Sequence, residues 1–563
     1  MTVEHTFELL APYNQEVALI GGWNEWEPIS MQRGDDGVWR VTVPLKDGEH
    51  QYKFQVKSLS WFAEGNTVTV ADPKALRYSL DSRQNAILTL KDGKRTDITY
   101  QWQHDDVPLP NNEQLIIYEL HIGDFRGGAG DSDDASGTFA RVIEKLDYLV
   151  DLGINAIELM PVNEFPGHHS WGYAQRSLYG IENSYGTPDD LCRLVDECHA
   201  RGIRVIHDAV YNHMEADAPL AQIDYEYWFY RDNPDEPALQ FGPKFNYEKY
   251  DENLKTFPAR AHIMGAMESW VERFRIDGIR FDCTRAIKYF ELLQWFHDTM
   301  HARIDFKPFY TIAEHIPQDA SIAGPGGPMD AAWHDNFYRQ LITTTLGVPH
   351  GGREPFNTDE LLKTMDWHYD HFVNSHNTIH YLNNHDERRV IDLLGDVAKT
   401  FEVAAFRRCK LGASLLLTAP GVPMLWMGEE FGQPTPKTLD PQPLQWGLLA
   451  NEPNSGLFNH YKFLIGLRKA NPALCSENFQ VVLNLPERGI IAYKRWDASG
   501  SVVVVVANLK DSFGGEFEIG DAGLQDGHWH EAVYNFEMQI EGGRLKDSLA
   551  ESDVKIYILQ LGS

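Results

Sequence analysis

The stretch GIRFDC at Gly278–Cys283 is an apolar, strand-like run that stops at an acid, Asp282. Two other stretches end in the same way, YTIAEH at Glu314 and YLNNHDE at Asp386. A charge at the end of a buried strand is costly unless something uses it. Helix-length segments separate the three stretches, so we predict one site assembled at the C-terminal ends of parallel barrel strands.

The region from about residue 114 to residue 471 alternates strand-like and helical patterns, which predicts a (β/α)8 barrel with insertions. The sixth strand has the weakest pattern of the eight. Helical stretches include Phe139–Leu152, Pro188–Gly202, Ile263–Arg275 and Phe401–Leu417. The predicted strands are Leu115–Leu120, Ala156–Met160, Arg204–Val210, Gly278–Phe281, Phe309–Ala313, Met329–Trp333, Thr378–Leu382 and Pro423–Met427.

Two β regions flank the predicted barrel, so the fold class is multidomain α/β. Residues 1–95 contain short strands such as Glu16–Ile20, Val38–Val43 and Gln51–Val56, typical of a β-sandwich. Residues 96–471 form the predicted catalytic barrel. Its insertion at about 215–253 is rich in aromatic and acidic residues, and we expect it to lie over the top face and contact substrate. Residues 472–563 read as a C-terminal antiparallel β domain, also a β-sandwich.

Composition limits the kind of partner. The 563-residue chain carries a formal net charge of −32, which disfavours nucleic acid and anionic membranes and favours a neutral or cationic ligand. The 5 cysteines are scattered and lack metal-ligand spacing. The N-terminus has no signal-peptide pattern, and no apolar run is long enough to span a membrane. We therefore predict a cytoplasmic protein; its oligomeric state stays open.

Paired carboxyl groups are the chemistry of glycosyl transfer, one ionised and one protonated. Arg280 precedes Asp282 by two residues, so both side chains point to the same side of the strand. We expect this cation to keep Asp282 ionised and suited to nucleophilic attack. Partial burial would raise the pKa of Glu314 and keep it protonated.

The stretch HDAVYNH at His207–His213 ends the predicted third strand. Asp208 and His213 would therefore reach the same barrel mouth, where they could hydrogen-bond sugar hydroxyls. A single histidine at a strand end is more often structural, and the same holds for His385 beside Asp386.

HDAVYNH, GIRFDCTRA, TIAEH and YLNNHDE together resemble the four motifs of the α-amylase superfamily of retaining α-glucan enzymes (glycoside hydrolase family 13). The resemblance implies that Asp282 is the nucleophile and Glu314 the general acid/base. It also implies that Asp386 stabilises the distorted sugar at the cleavage subsite. Residues that match sugar-contacting or nucleophile-orienting positions are Tyr173 in SWGY, Asp208, His213, Arg280 and His385.

Within that superfamily, the stretches LIIYELHIGDF, IELMPVNEFPGHHSWGY and MDAAWHDNFYRQL resemble the maltooligosyltrehalose trehalohydrolases. This implies cleavage of the α-1,4 bond next to a terminal trehalose. GGWNEWEPISM at Gly21–Met31 resembles the sandwich module of glycogen-branching and debranching enzymes. The segment Pro420–Trp446 also resembles branching enzymes and other malto-oligosaccharide hydrolases, while NNHDERRV departs from the trehalohydrolase pattern. The Tyr-Asn-His ending at Tyr211–His213 speaks against branching. Branching or other transglycosylation, α-1,6 debranching and a non-catalytic glucan-binding role stay as alternatives.

The resemblance implies no required cofactor and no metal ligand among the site residues. Some members of the superfamily bind calcium beside the residue that matches Asn212, and aspartates of the insertion could contribute ligands, since carboxylate and carbonyl oxygens suit this ion. An α-glucan or malto-oligosaccharide is the expected partner.

Overall fold

The computed structural model describes residues 2–80, 84–127, 137–324, 326–520 and 523–560. These residues form an N-terminal sheet region, a closed barrel of eight parallel strands and a C-terminal antiparallel sheet region. The predicted fold class is confirmed. No helix among the described residues has both the length and the apolar character needed to cross a membrane.

Two antiparallel sheets face each other in the N-terminal region. Phe7 and Val43 of one sheet pack against Phe54 and Leu88 of the other in one buried cluster. The alternating burial of Thr2–Leu10 follows from its half-buried position, because successive side chains of a strand point to opposite faces. The strands are Thr2–Leu10, Val17–Gly21, Ile29–Ser30, Gln32–Arg33, Val38–Lys46, Gly48–Lys57, Thr67–Val70, Ala86–Lys91 and Lys94–Arg95.

The barrel contains all eight predicted strands in sequence order, and the first strand pairs with the eighth to close it. The weakly patterned sixth strand is present as Ala331–Trp333, only 3 residues long. The other strands are fully buried, as expected for a parallel sheet covered by helices, and several carry a buried charged residue such as Glu119 or Arg280. They are Ile117–Leu120, Ala156–Leu159, Arg204–Ala209, Gly278–Phe281, Tyr310–Ala313, Thr378–Tyr381 and Val422–Trp426.

The barrel helices agree with the predicted periodicity except at one place. The predicted helix Phe139–Leu152 is wrong as a single element, because Lys145 leaves the helical conformation (φ −112°, ψ 3°). The pieces Phe139–Ile143 and Leu146–Leu152 each bury their own apolar face. The remaining α-helices are Ile122–Phe125, Pro188–Ala200, Pro219–Ile223, Tyr225–Trp228, Pro258–Phe274, Thr284–Ile287, Phe290–Arg303, Asp335–Leu346, Thr358–Met365, Val390–Asp396, Glu402–Thr418, Glu452–Ala470 and Pro472–Cys475.

The insertion after the third strand contacts both the N-terminal region and the barrel mouth. Ile223 is completely buried in the N-terminal core, and its carbonyl accepts a 3.0 Å hydrogen bond from the N–H of Leu59. Farther along, the ring of Phe241 lies 5.6 Å from that of His213, at the end of the third strand. The insertion therefore binds the N-terminal region to the barrel and also reaches the barrel mouth.

The C-terminal region has one sheet of 6 strands and one of 2 strands. Trp529 and Val504 of the larger sheet share a buried core with Phe517 and Leu545 of the smaller one. Four of these strands lie where no strand was named from the sequence, between residues 515 and 549. The strands are Phe479–Leu485, Ile490–Trp496, Val502–Asn508, Gly515–Ile519, Gly527–Glu531, Phe536–Ile540, Leu545–Leu549 and Val554–Leu559.

Candidate active site

Arg280 lies at the centre of the barrel mouth and is completely buried. Its Nη1 lies 2.8 Å from Oδ1 of Asp208 and 3.0 Å from Oδ1 of Asp282. Its Nη2 lies 3.1 Å from Oε2 of Glu314. One guanidinium therefore joins the ends of the third, fourth and fifth strands.

Strand register explains why these groups meet. Asp208 and Arg280 are directly paired on neighbouring parallel strands, so their side chains point to the same side. Asp282 and Glu314 follow the last residues of the fourth and fifth strands, where Phe281 pairs with Ala313. The N–H of Cys283 donates a 2.7 Å hydrogen bond to Oε2 of Glu314 and fixes this carboxyl group.

The expectation that Arg280 keeps the pKa of Asp282 low is wrong for the ligand-free protein. Burial is the largest effect and raises the pKa of Asp282 well above its usual range. The neighbouring carboxyl of Glu314 raises the pKa of Asp282 further, and the opposing effect of Arg280 is smaller. Burial and the neighbouring Glu314 carboxyl therefore both favour the protonated form of Asp282 in the ligand-free protein.

His385 connects Asp386 to the first barrel strand. Its Nδ1 lies 2.6 Å from Oε1 of Glu119, and its Nε2 lies 3.3 Å from Oδ2 of Asp386. Burial alone lowers the pKa of His385, but the two carboxylates outweigh it and raise that pKa well above the usual range. Burial likewise raises the pKa of Asp386, and the His385 cation outweighs it and lowers that pKa. Asp386 is therefore an ionised carboxylate whose side chain is 48% exposed to the mouth.

Tyr173 covers one side of the site. Its hydroxyl donates a 2.6 Å hydrogen bond to Oδ2 of Asp208, and its ring stacks on His385 with centroids 5.0 Å apart. His213 is placed differently from the expectation for a sugar contact, because its Nε2 lies 3.0 Å from the carbonyl oxygen of Tyr173. Burial lowers the pKa of His213 to about 4, so the ring is neutral at ordinary pH and supports the loop that carries Tyr173.

Four residues of the site were not singled out from the sequence. The Trp333 ring lies 4.4 Å from the Arg280 guanidinium, a cation–π contact beneath the acids. Lys437 reaches in from the loop after the eighth strand, with Nζ 3.8 Å from Oδ1 of Asp386. Glu119 and Glu158 lie within the first and second strands and are completely buried. Burial raises the pKa of Glu158 well above its usual range, so this acid is neutral.

A polar groove of about 1480 Å³ opens beside the site, next to His315, the residue after Glu314. Arginine and carboxylate side chains both line it, and Arg339 pairs with Asp335 at 2.7 Å. Such a surface offers many hydrogen-bond donors and acceptors to a hydroxyl-rich ligand. The groove is lined by Arg285, Gln318, Asp335, Arg339, Arg353 and Asp370, among others.

The insertion aspartates do not fit a calcium site beside Asn212. Asp235 is buried, and both its oxygens lie 2.7–2.8 Å from Nζ of Lys244, which is also buried. Lys288 lies 2.6 Å from the same carboxylate. Two ammonium groups thus neutralise this carboxylate, and Asp251 instead accepts hydrogen bonds from tyrosine hydroxyls.

Comparison with protein families agrees with this geometry. The description "Alpha amylase, catalytic domain" matches residues 123–446. The chain belongs to the alpha-amylase family. A second description, carbohydrate-binding module 48 (the isoamylase N-terminal domain), matches residues 2–75 and covers most of the N-terminal sheets. As a member of the alpha-amylase family the protein is an α-glucan-active enzyme, and the alternative of a non-catalytic binding protein is set aside.

Several curated proteins resemble this alpha-amylase family member over most of its length. A malto-oligosyltrehalose trehalohydrolase of Saccharolobus solfataricus is 28% identical over 77% of this chain and 74% of its own length. One from Arthrobacter ramosus is 27% identical over 83% of this chain and 87% of its own length. A 1,4-alpha-glucan branching enzyme of Synechococcus is 26% identical over 95% of this chain and 75% of its own length.

Solved structures agree on the fold. A pullulanase from Anoxybacillus in complex with maltotetraose superposes with a TM-score of 0.81 at 19% identity, covering 99% of this chain and 86% of that chain. At this identity the likeness establishes the fold of this alpha-amylase family member and leaves the linkage it cleaves open.

Proposed function

We propose that the protein is a retaining hydrolase of α-1,4-glucosidic bonds that acts on malto-oligosyltrehalose and releases trehalose. The observation that carries the chemistry is the contact of Asp282 and Glu314 with one guanidinium, that of Arg280, at 3.0 and 3.1 Å. This arrangement holds two carboxyl groups side by side. It suits the spacing of about 5–5.5 Å at which one carboxylate attacks the anomeric carbon directly.

In the proposed reaction a glucosyl unit lies against Tyr173, which offers an aromatic face to the apolar C–H face of the sugar. Glu314 is the acid of the proposed reaction, and its protonated carboxyl donates a proton to the glycosidic oxygen while the Asp282 carboxylate attacks the anomeric carbon. The C–O bond to the leaving sugar breaks and a glycosyl ester to Asp282 forms. Ionised Glu314 then takes a proton from water, which attacks the ester and releases an α-configured product.

The other charged residues of the site are consistent with the proposed reaction. Arg280 stabilises the Asp282 carboxylate while the proton is on Glu314. Asp386 is held ionised by His385 and faces the open mouth, where it can accept hydrogen bonds from ring hydroxyls of the distorted sugar. The hydrogen bond between Tyr173 and Asp208 fixes the position of the Tyr173 ring.

Two observations support trehalose as the leaving group. The two trehalohydrolases match this chain at 28% and 27% identity. The groove also has His315, the residue after Glu314, in its lining. It is lined by charged side chains, which suits a disaccharide that presents hydroxyls on both rings and admits water for the second step.

Glucan branching is the second candidate, and one observation favours it. The branching enzymes align over 95% of this chain, including its N-terminal region, against 77% for the trehalohydrolase of S. solfataricus. Hydrolysis and branching share the glycosyl-enzyme intermediate and differ in whether water or a sugar hydroxyl attacks it.

Product analysis separates these activities. The purified protein is incubated separately with maltoheptaose, malto-oligosyltrehalose and amylose, and the products are resolved by linkage. We expect free trehalose from malto-oligosyltrehalose at a much higher kcat/KM than any product from maltoheptaose. New α-1,6 linkages in amylose would replace this proposal with branching. Cleavage of α-1,6 bonds in a branched dextrin would indicate debranching instead.

A further inference from the structure

Two histidines and an aspartate gather at the end of the barrel opposite the acids. His297 and His301 lie one turn apart on the helix Phe290–Arg303, and Asp330 directly precedes the sixth strand. One nitrogen or oxygen atom from each side chain lies within 4.8 Å of the others. Among the described ranges of the chain, this is the one such group of three histidine, cysteine or acidic residues. The proposed glycosidase mechanism uses none of them.

Hydrogen bonds orient two members of the group. Nδ1 of His297 lies 2.9 Å from Oγ1 of Thr311, which leaves Nε2 of that ring available. Oδ2 of Asp330 accepts hydrogen bonds from the N–H of Thr311 at 2.8 Å and from its hydroxyl at 3.0 Å. Metal-binding histidines and carboxylates are commonly held by outer partners of this kind, which fix their orientation.

The group is open to an ion in solution. The side chains of His301 and Asp330 are 34% and 23% exposed. His297 and Asp330 line a cavity of about 570 Å³ whose other lining groups are mostly polar, including Glu113, Gln294 and Asn377. Glu113 brings a second carboxylate to this cavity, and the Arg204 guanidinium interacts electrostatically with both acids.

The geometry points to a binding site for one divalent transition metal ion, such as Zn²⁺, held by His297, His301 and Asp330 with water completing the shell. Two histidines at positions i and i+4 of a helix present their nitrogens to the same side, and with a carboxylate they match the ligand chemistry of zinc. Zn–N and Zn–O bonds of about 2.0–2.2 Å in a tetrahedron place ligand atoms roughly 3.3 Å apart. Nε2 of His301 and Oδ2 of Asp330 are hydrogen-bond partners at 3.0 Å, so a bound ion would take the place of the proton between them.

A metal ion bound here would stabilise the barrel and would take no part in glucan cleavage. Thr311 is the second residue of the strand Tyr310–Ala313, which ends just before Glu314. Three residues of strand span roughly 10 Å. A bound ion would tie the helix Phe290–Arg303 to the fifth and sixth strands at their N-terminal ends, the face of such barrels that serves stability. This inference is independent of which α-glucan the enzyme cleaves.

The test measures metal binding directly. Full-length protein without a histidine tag is dialysed against EDTA, then against buffer, and titrated with ZnCl₂ by calorimetry. We expect one tight equivalent, a rise in Tm with zinc, and cobalt d–d absorption when CoCl₂ replaces zinc. The double variant His297→Ala/His301→Ala should lose about 100-fold or more in zinc affinity, because removal of an outer partner alone already costs about 10- to 100-fold in other sites.

A matched double variant, His528→Ala/His530→Ala, removes two imidazoles from the C-terminal sheet and should bind zinc as the wild type does. Because the alanine variant can lose packing, Thr311→Val serves as a second probe. It removes the partner of His297 and should weaken zinc binding about 10-fold with the fold retained. The inference is overturned if the wild type shows no stoichiometric zinc binding, or if the His297/His301 variant binds as tightly as the His528/His530 variant.

Discussion

Glu119 holds His385 with both of its carboxylate oxygens. Oε1 lies 2.6 Å from Nδ1 of the ring, and Oε2 accepts a 3.0 Å hydrogen bond from the His385 backbone N–H. The two residues are 266 positions apart in the chain, and both are buried. Glu119 thereby fixes the ring that orients Asp386, and it acts on the reaction through that ring.

Glu119→Gln keeps the shape of this contact and removes its charge. The pKa of His385 should fall, the ring should lose its proton at neutral pH, and Asp386 should lose the cation that keeps it ionised. We expect kcat/KM on malto-oligosaccharide to fall roughly 10- to 100-fold, as for other partners that act through a neighbour. The NMR titration of His385 should shift to lower pH in parallel. Glu144→Gln, an exposed change on the outer face, is the control; equal kinetics in the two variants would contradict the assignment.

Asp282 and Glu314 can be told apart with an activated substrate. Fluoride leaves without a proton, so α-maltosyl fluoride needs the nucleophile but not the acid. Glu314→Gln should lose about 10²- to 10⁴-fold on malto-oligosaccharide yet keep most of its rate on the fluoride when azide is supplied as the second nucleophile. Asp282→Asn should be inactive on both substrates while still binding maltoheptaose. Turnover of either substrate by Asp282→Asn at the wild-type rate would refute the role of Asp282.

The raised pKa of Asp282 sets the acid limit of activity. Asp282 reacts as a carboxylate, so kcat/KM should be low below its raised pKa and rise as pH rises through it. Glu314→Gln removes the carboxyl that helps to raise this pKa, so the acid limb of its rate on α-maltosyl fluoride should lie at lower pH than in the wild type. An acid limb at the same pH in both proteins would assign it to another group.

Glu429 should make the free energy of unfolding fall as the pH rises. Burial raises the pKa of Glu429 to about 8, where Oε1 accepts a 2.6 Å hydrogen bond from Tyr461 and Glu430 lies nearby. An unfolded glutamate has a pKa near 4.3, so between that pH and about 8 the folded state binds more protons and stability falls as pH rises. The loss amounts to roughly 3–5 kcal/mol across this window.

Glu429→Gln cannot ionise, so its free energy of unfolding should fall less with pH than that of the wild type. Urea unfolding at several pH values measures the difference. Glu402→Gln, an exposed position in the same third of the chain, should leave the pH dependence unchanged. Parallel pH profiles for wild type and Glu429→Gln would show that Glu429 is already ionised in the folded protein.

The strand positions and the meeting of Asp282, Glu314 and Asp386 at one mouth were predictable, because parallel strands place their C-terminal ends on one face. The sixth strand was recognisable in spite of its length, since topology required a strand between the fifth and the seventh. The break at Lys145 was not predictable, as the helical period continues through it.

The pKa shifts of the site could not be predicted from the sequence, for a physical reason. Arg280 is visible two residues before Asp282, but the influence of Glu314 on the pKa of Asp282 depends on their separation in space. Within the sequence YEL, nothing marks Glu119 as a functional residue until its contact with His385 is known. Pairings of this kind depend on three-dimensional distance, which pattern and spacing do not encode.

The barrel closes only when the first strand meets the eighth, where Ile117 pairs with Met424. A nascent chain released from the ribosome tunnel as far as Asp386 already contains every acid of the cleavage site, yet its first strand, which carries the Glu119 support of His385, still has an open edge. We therefore expect prematurely terminated translation products to be inert towards glucans.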